Sequence, residues 1–237
     1  MQSINKTDNK LTFSAKISES LANALRRSVN SIPTLAIDEV EISKNDSPLY
    51  DETVAHRMGL IPLKMQKSFK EKDEAVLKLK TNKPGTVYSK DFKGDIEVVY
   101  GEIPITVLGD DTEINVKAIV RLGKGSEHAK FSPGLIYYRN ASEITMDKEF
   151  FNKVRETFPE NEVKEKGDKI IIEDNLEKPM VDFCEGLALR NKKKVEVKDT
   201  DELIISVEGF GQMKAKDMFK ESLKILKKDL NDFAKKI

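Results

Sequence analysis

The stretch Leu21–Lys64, LANALRRSVNSIPTLAIDEVEISKNDSPLYDETVAHRMGLIPLK, carries three elements in a fixed order. Leu21, Ala24, Leu25, Ser28, Val29 and Ile32 recur at helical spacing, and Ser18 or Ser20 is placed to cap that helix. Pro33 stops it, since proline has no N–H for a continuing turn. From Thr34 to Ser43 the pattern becomes that of a strand. Its alternation slips at Asp38-Glu39, which predicts a bulge there or burial of both faces. A second helix follows from Asp51 to Met58, opened by two acids at its positive end. Gly59 ends it, and Ile61-Pro62 starts an extended segment.

Upstream, Leu11, Phe13, Ala15 and Ile17 alternate with polar residues, the pattern of a half-buried strand. The far end mirrors this: Leu203, Ile205 and Val207 mark a strand that Gly209 and Gly211 break. A long helix then runs from about Lys214, with a seam at Phe219, Leu223, Leu226, Leu230, Phe233 and Ile237. That 3-4 spacing favours shallow packing against another helix. Between the two ends, Ala75–Lys80, Asp95–Tyr100, Ile103–Leu108 and Glu113–Leu122 read as strands separated by turn residues. Beyond Met146 the texture is mixed, with a short helix near Lys148–Phe158, a strand at Lys169–Glu173 and a helix near Lys178–Arg190. The fold class is α+β: a discontinuous two-layer domain from 1–44 plus 201–237, a β-rich insert over 45–145, and a small domain over 146–190. Residues 191–200 are open to returning to the insert.

The composition excludes several functions. Forty-one basic residues balance 41 acidic ones, so the chain lacks the basic excess that neutralises phosphates. Its one cysteine, Cys184, leaves no disulfide and no all-cysteine metal site. Residues 1–10 are polar with no signal-type apolar region, and no run approaches the roughly 18 apolar residues of a membrane span. A cytoplasmic location is expected. Gly123-Lys124-Gly125-Ser126 hints at a phosphate loop, but position 118 is Ala118 and Gly125 stands where Ser or Thr should follow the lysine. Asp110-Asp111 fits a hydrated turn better than a cation site. No catalytic residue and no metal ligand set is expected.

The run NALRRSVNSIPTLAIDEV followed by LYDETVAHRMGLIPL resembles the core signature of the archaeal RNA polymerase D (third) subunit. It is similar too to the eukaryotic third subunits and, more distantly, to the bacterial alpha N-terminal domain. EHAKFSP at Glu127–Pro133 resembles the family's loop at the end of the inserted domain, and FKESLKILKKDL at Phe219–Leu230 its C-terminal dimerisation helix. The matches fall in family order over nearly the whole chain.

The resemblance implies a non-catalytic assembly subunit of an enzyme, DNA-directed RNA polymerase, which performs nucleotidyl transfer in transcription. The first domain becomes a dimerisation domain that pairs with the L (eleventh) subunit through Leu21, Leu25, Val29, Phe219, Leu223, Leu226, Leu230 and Phe233. Arg26 and Arg27 fall on the motif that implies docking of the second-largest subunit, and His56, Arg57, His128, Lys130 and Phe131 on motifs that imply contact with a large subunit. Small zinc-containing subunits N and P would join the same platform, with DNA met only through the assembly. Many relatives carry a ferredoxin-like domain with an iron–sulfur cluster. The 146–190 segment looks like its remnant, and with Cys184 alone no cluster is expected. Nor is a DNA-binding domain of the bacterial alpha type expected after the last helix. The rival reading, a stand-alone homodimeric nucleic-acid-binding protein, predicts salt-dependent DNA affinity for this chain alone.

Overall fold

The computed structural model describes residues 3–66, 68–159, 161, 163–174 and 180–236. The strands are β1 (Ser3–Thr7), β2 (Lys10–Ala15), β3 (Pro33–Asn45), β4 (Ala75–Thr81), β5 (Gly85–Tyr88), β6 (Pro104–Leu108), β7 (Ile114–Lys124), β8 (Gly134–Asp147), β9 (Val163–Lys166), β10 (Lys169–Glu173) and β11 (Glu196–Gly209). The α-helices are α1 (Glu19–Ser28), α2 (Asp51–Gly59), α3 (Phe151–Thr157), α4 (Met180–Arg190) and α5 (Ala215–Ala234). Lys178, expected to open a helix, and Ile237, expected to end the terminal seam, lie outside the described residues.

Two compact units emerge, one from 1–24 with 136–207 and the other from 25–135 with 208–237. They are cut differently from the three-part division suggested above. The first holds most of a six-stranded sheet in the order β1-β2-β11-β8-β10-β9. The 146–190 segment does not stand apart from it, because β10 pairs antiparallel with β8 from Lys169 opposite Asp147 to Glu173 opposite Glu143. Strand β11 is central, so Leu203, Ile204, Ile205, Ser206 and Val207 are all buried and the alternation read from sequence is only its inner half. Ile144, Met146, Phe150, Val154, Ile170, Ile172, Met180 and Cys184 form a core between strands and α3 and α4.

The second unit is built on a three-stranded sheet, β3-β7-β4, and a separate β5-β6 pair. In β7 the inward side chains Ile114, Val116, Ala118 and Val120 are buried, as the period-2 pattern predicts. They meet Leu35 and Ile37 of β3, Leu77 and Leu79 of β4, and Val54 and Met58 of α2 in one core. Each such aliphatic side chain contributes about 1.5–3 kcal/mol when fully buried. The slip at Asp38-Glu39 is a bulge: Ile37 lies opposite Val120 and Glu39 opposite Ile119, with Asp38 the extra residue. The Asp95–Tyr100 segment is no ladder strand. Val98 makes a single bridge with Leu63, and the flanking N–H groups of Lys64 and Val99 reach Glu97 and Pro62 carbonyls.

Gly134 starts β8 where the backbone is crowded. A Cβ there would fall on the Glu208 carbonyl oxygen and lie 2.8 Å from both Gly209 Cα and Met218 Sδ. Backbone cannot rotate away as a side-chain tip can. Gly134→Ala is therefore expected to destabilise the fold by about 1–3 kcal/mol, read as a fall in the urea midpoint at unchanged slope.

Candidate functional site

Helix α5 carries an apolar stripe along its whole length, but that stripe is covered along only half of it. Ala215, Met218 and Ser222 are buried, and the helix packs on the turn Val29–Ser31 that ends α1. Phe219 and Leu226 are half-buried, whereas Leu223 is 41%, Leu230 58% and Phe233 64% exposed. Every residue from Lys227 to Lys236 is exposed. The last eight residues of the helix, Lys227–Ala234, about 12 Å at 1.5 Å per residue, thus project an apolar seam into water. A helix segment of that length is marginal without tertiary packing.

The eight residues expected to form this face divide. Leu21, at 42% exposure, is open on α1, but Leu25 and Val29 are 3% and 1% exposed. Those two side chains are already inside this chain's core and leave little surface for a partner. The helical stripe was legible in sequence; which of its members the chain itself covers was not.

The second surface is a recess of about 230 Å³ in the other motif block. Strand β3 supplies Ile37, Asp38 and Val40, helix α2 supplies His56, Gly59 and Leu60, and the loop after β7 supplies His128 and Lys130. The β3 bulge leaves the Asp38 carbonyl outside the ladder and turns its side chain toward two cations. Lys130 Nζ donates to that carbonyl at 3.2 Å and to the Asp38 carboxylate at 2.6 Å. Arg121 Nη1 donates to the other carboxylate oxygen at 3.2 Å. Arg121 also pairs with Glu39, and its Nε reaches Glu74 at 2.9 Å. The hydrogen bond from Lys130 is the main cause that holds the Asp38 carboxyl below the usual carboxylate range, against an opposing cost of burial. Three carboxylates around Arg121 push its pKa up.

His128 caps the turn Ala129–Phe131: its Nδ1 accepts the Lys130 backbone N–H at 3.1 Å. The Lys130 ammonium lies 5.1 Å from the centre of the Phe131 ring. Phe131 is itself buried, its ring filling the space that a side chain at Gly123 would need. Arg57 turns aside and donates to the Pro104 carbonyl at 2.6 Å. Arg26 and Arg27 are exposed in the last turn of α1 and do not line the recess. Of the residues expected to meet a large partner, His56, His128 and Lys130 come together and Phe131 supports them from behind. Asp38, Arg121 and Leu60 were missed. The break in alternation at Asp38 was the available signal for the first.

The remaining chemistry is modest. Gly123–Ser126 is no phosphate loop but the turn ending β7, tied back by the Ser126 N–H to the Asn30 carbonyl at 2.9 Å. Asp111 occupies a left-handed turn position with φ 57°. Cys184 is buried and its thiol is pushed up to about 11, chiefly by burial and then by Asp174. Among the described residues no group of three or more His, Cys, Asp or Glu side chains is arranged to hold a metal ion, and no helix is long and apolar enough to cross a membrane.

Residues 40–137, which include the recess residues His56, His128 and Lys130 but begin just after Asp38, match the RNA polymerase Rpb3/RpoA insert domain. That domain is a part of RNA polymerase subunits of the Rpb3 and RpoA kind. The DNA-directed RNA polymerase subunit Rpo3 of Pyrococcus horikoshii is 32% identical over 246 aligned positions, covering 97% of this chain and 94% of the relative. The Rpo3 of Archaeoglobus fulgidus is 30% identical with 98% and 95% covered, and that of Thermococcus kodakarensis 41% identical over 54% of each chain. The chain belongs to the Rpo3 family of DNA-directed RNA polymerase subunits, proteins that work among partner subunits.

The Asp38 cluster has a pH signature. Its folded pKa lies below the unfolded value of about 3.9, so its contribution is complete above that value and is lost as pH falls through the folded one. Asp38→Asn should cost about 1–2 kcal/mol at neutral pH, and the gap to wild type should close below about pH 4. Denaturant curves at both pH values check this, and a gap independent of pH would contradict it.

Proposed function

We infer that this chain is a non-catalytic assembly subunit of DNA-directed RNA polymerase, the counterpart of the archaeal D subunit, and that it works in the cytoplasm. The seam of α5 takes the smaller L (eleventh) subunit. The recess between β3, α2 and the His128–Phe131 loop, with Arg26 and Arg27, faces the second-largest subunit, and small zinc-containing subunits N and P complete the platform. The observation that carries this reading is the exposed run Lys227–Lys236, with Leu230 and Phe233 bare on a helix whose inner end is already packed. A lasting apolar surface of that kind invites aggregation unless another polypeptide covers it. Family membership supplies the class of that polypeptide.

An iron–sulfur cluster does not fit this chain. Such clusters take about four thiolates, and the sequence holds one cysteine, buried beside Asp174 with its thiol disfavoured from ionising. Protein purified without oxygen should accordingly contain no stoichiometric iron and no visible absorption band. Finding either would overturn this assignment.

Coexpression with an L-type subunit tests the assembly role. The wild-type pair should copurify as a 1:1 complex, and the Leu226→Glu, Leu230→Glu double variant should lose the partner. An undiminished complex on size exclusion would refute the α5 assignment. A homodimer with salt-dependent DNA affinity would put the rival reading in its place.

A further inference from the structure

Gly186 stands in the interior of α4, where glycine is a poorer helix former than alanine. Its backbone is not in the left-handed region, and a Cβ built on it would meet nothing within 4 Å. Neither conformation nor packing among the described residues accounts for the missing side chain. The space above it belongs to a groove of about 450 Å³ lined by Asp182, Glu185, Gly186, Leu189, Lys193 and Val195. One turn along, Leu189 is 79% exposed, the most open large aliphatic side chain among the described residues.

The charges around the groove are ordered. Asp182 and Glu185 lie toward the N-terminal end of α4, and Arg190 and Lys193 toward and just beyond its C-terminal end. Among the described residues Asp182, Glu185 and Arg190 form no ion pair, while Lys193 is held by Asp147 at 3.0 Å. Acid, hole, knob and base thus follow one another along a single helix face. Such a row is complementary to itself when reversed.

We propose that this groove is a self-association face, on which α4 of a second copy lies antiparallel with its Leu189 seated over Gly186. In that register Glu185 of each copy meets Arg190 of the other, and Asp182 meets Lys193. Because the contact is isologous, each pairing is made twice, and the absent side chain at Gly186 makes room for the incoming leucine. Eleven residues of helix span about 16 Å, much less than the surface a permanent dimer uses, so the dimer is weak and concentration-dependent. Nothing in this association needs α5.

The test uses the full chain carrying Leu230→Glu, which removes α5 as a route to self-association, in sedimentation equilibrium from micromolar to submillimolar concentration. A dimer should form. Glu185→Arg and Arg190→Glu should each weaken it by about tenfold or more, since each sets like charges opposite one another. An equimolar mixture of the two variants should restore it, because both cross-pairs are then of opposite sign. Gly186→Ala should raise the thermal midpoint of the chain, having removed a poor helix former, and weaken the dimer. A chain monomeric at every concentration would hand the groove to a different polypeptide and overturn the proposal. So would a dimer indifferent to both charge reversals, or single variants that the mixture does not rescue.

Discussion

The antiparallel ladder between β3 and β7 is the constraint on which both the core and the polar recess of the second unit rest. It sets Pro33 opposite Lys124 and Asn45 opposite Ile114, so chain segments far apart in sequence must meet before any of its bonds form. What holds the ladder is the apolar sheet face it creates. Ile114, Val116, Ala118 and Val120 from one strand and Leu35 and Ile37 from the other bury fully against α2 and β4. The same ladder determines the recess. Strand β7 delivers Arg121 beside the bulge and ends at the turn that carries His128 and Lys130, while α2 packs on β3 and brings His56. One extra residue, Asp38, is then enough to convert a continuous strand edge into a carboxylate between two cations.

Cation and carboxylate numbers explain why that cluster can persist at a half-open surface. Arg121 and Lys130 serve Asp38, Glu39 and Glu74, and the guanidinium fork reaches all three acids from a single side chain. Lys130 keeps only 15% of its side chain exposed and rests over the Phe131 ring, so its pairing with Asp38 is less screened than an ordinary surface ion pair. The result is a rigid polar floor with His56, His128 and the exposed Leu60 around it. A docking surface gains from such pre-organisation, because little side-chain entropy remains to be lost when a partner arrives.

Much of this was legible in the sequence wherever burial follows simple periodicity. Strand β7, helix α2, strand β10 and the α5 seam were each readable from spacing, and the Asp38-Glu39 slip announced the bulge. The largest omission was β8, a fourteen-residue strand. Its middle is polar, Arg139-Asn140-Ala141-Ser142, and shows no period-2 signal. Side-chain pairing satisfies it instead: Arg139 with the buried Asp174, Ser142 with Asp199 at 2.9 Å, and Thr200 with the Ala141 carbonyl at 2.9 Å. Those partners lie more than thirty residues away and leave no local pattern. The burial of Leu25 and Val29 was illegible for a related reason. An amphipathic stripe says that a face must be covered, but not whether the cover comes from the same chain.

That last distinction has a thermodynamic side. The first half of α5 is held by contacts of Met218 and Ser222 within this chain, but from Lys227 onward every described residue is exposed, and the helix has its backbone bonds and one exposed ion pair, Lys235 with Asp232, to keep it formed. Its stability there must come from whatever covers Leu230 and Phe233, and a partner present at a hundred times its dissociation constant adds about 2.7 kcal/mol to the folded state. The interior cores on β7 and β11 need no such help. On the proposed assembly role, the body of the subunit rests on its own cores, while the outer half of α5 would be completed only by the partner that covers it. A helix already satisfied by its own chain would gain nothing from assembly, so under the proposed role the same exposed leucine and phenylalanine that weaken the isolated protein would be what makes association favourable.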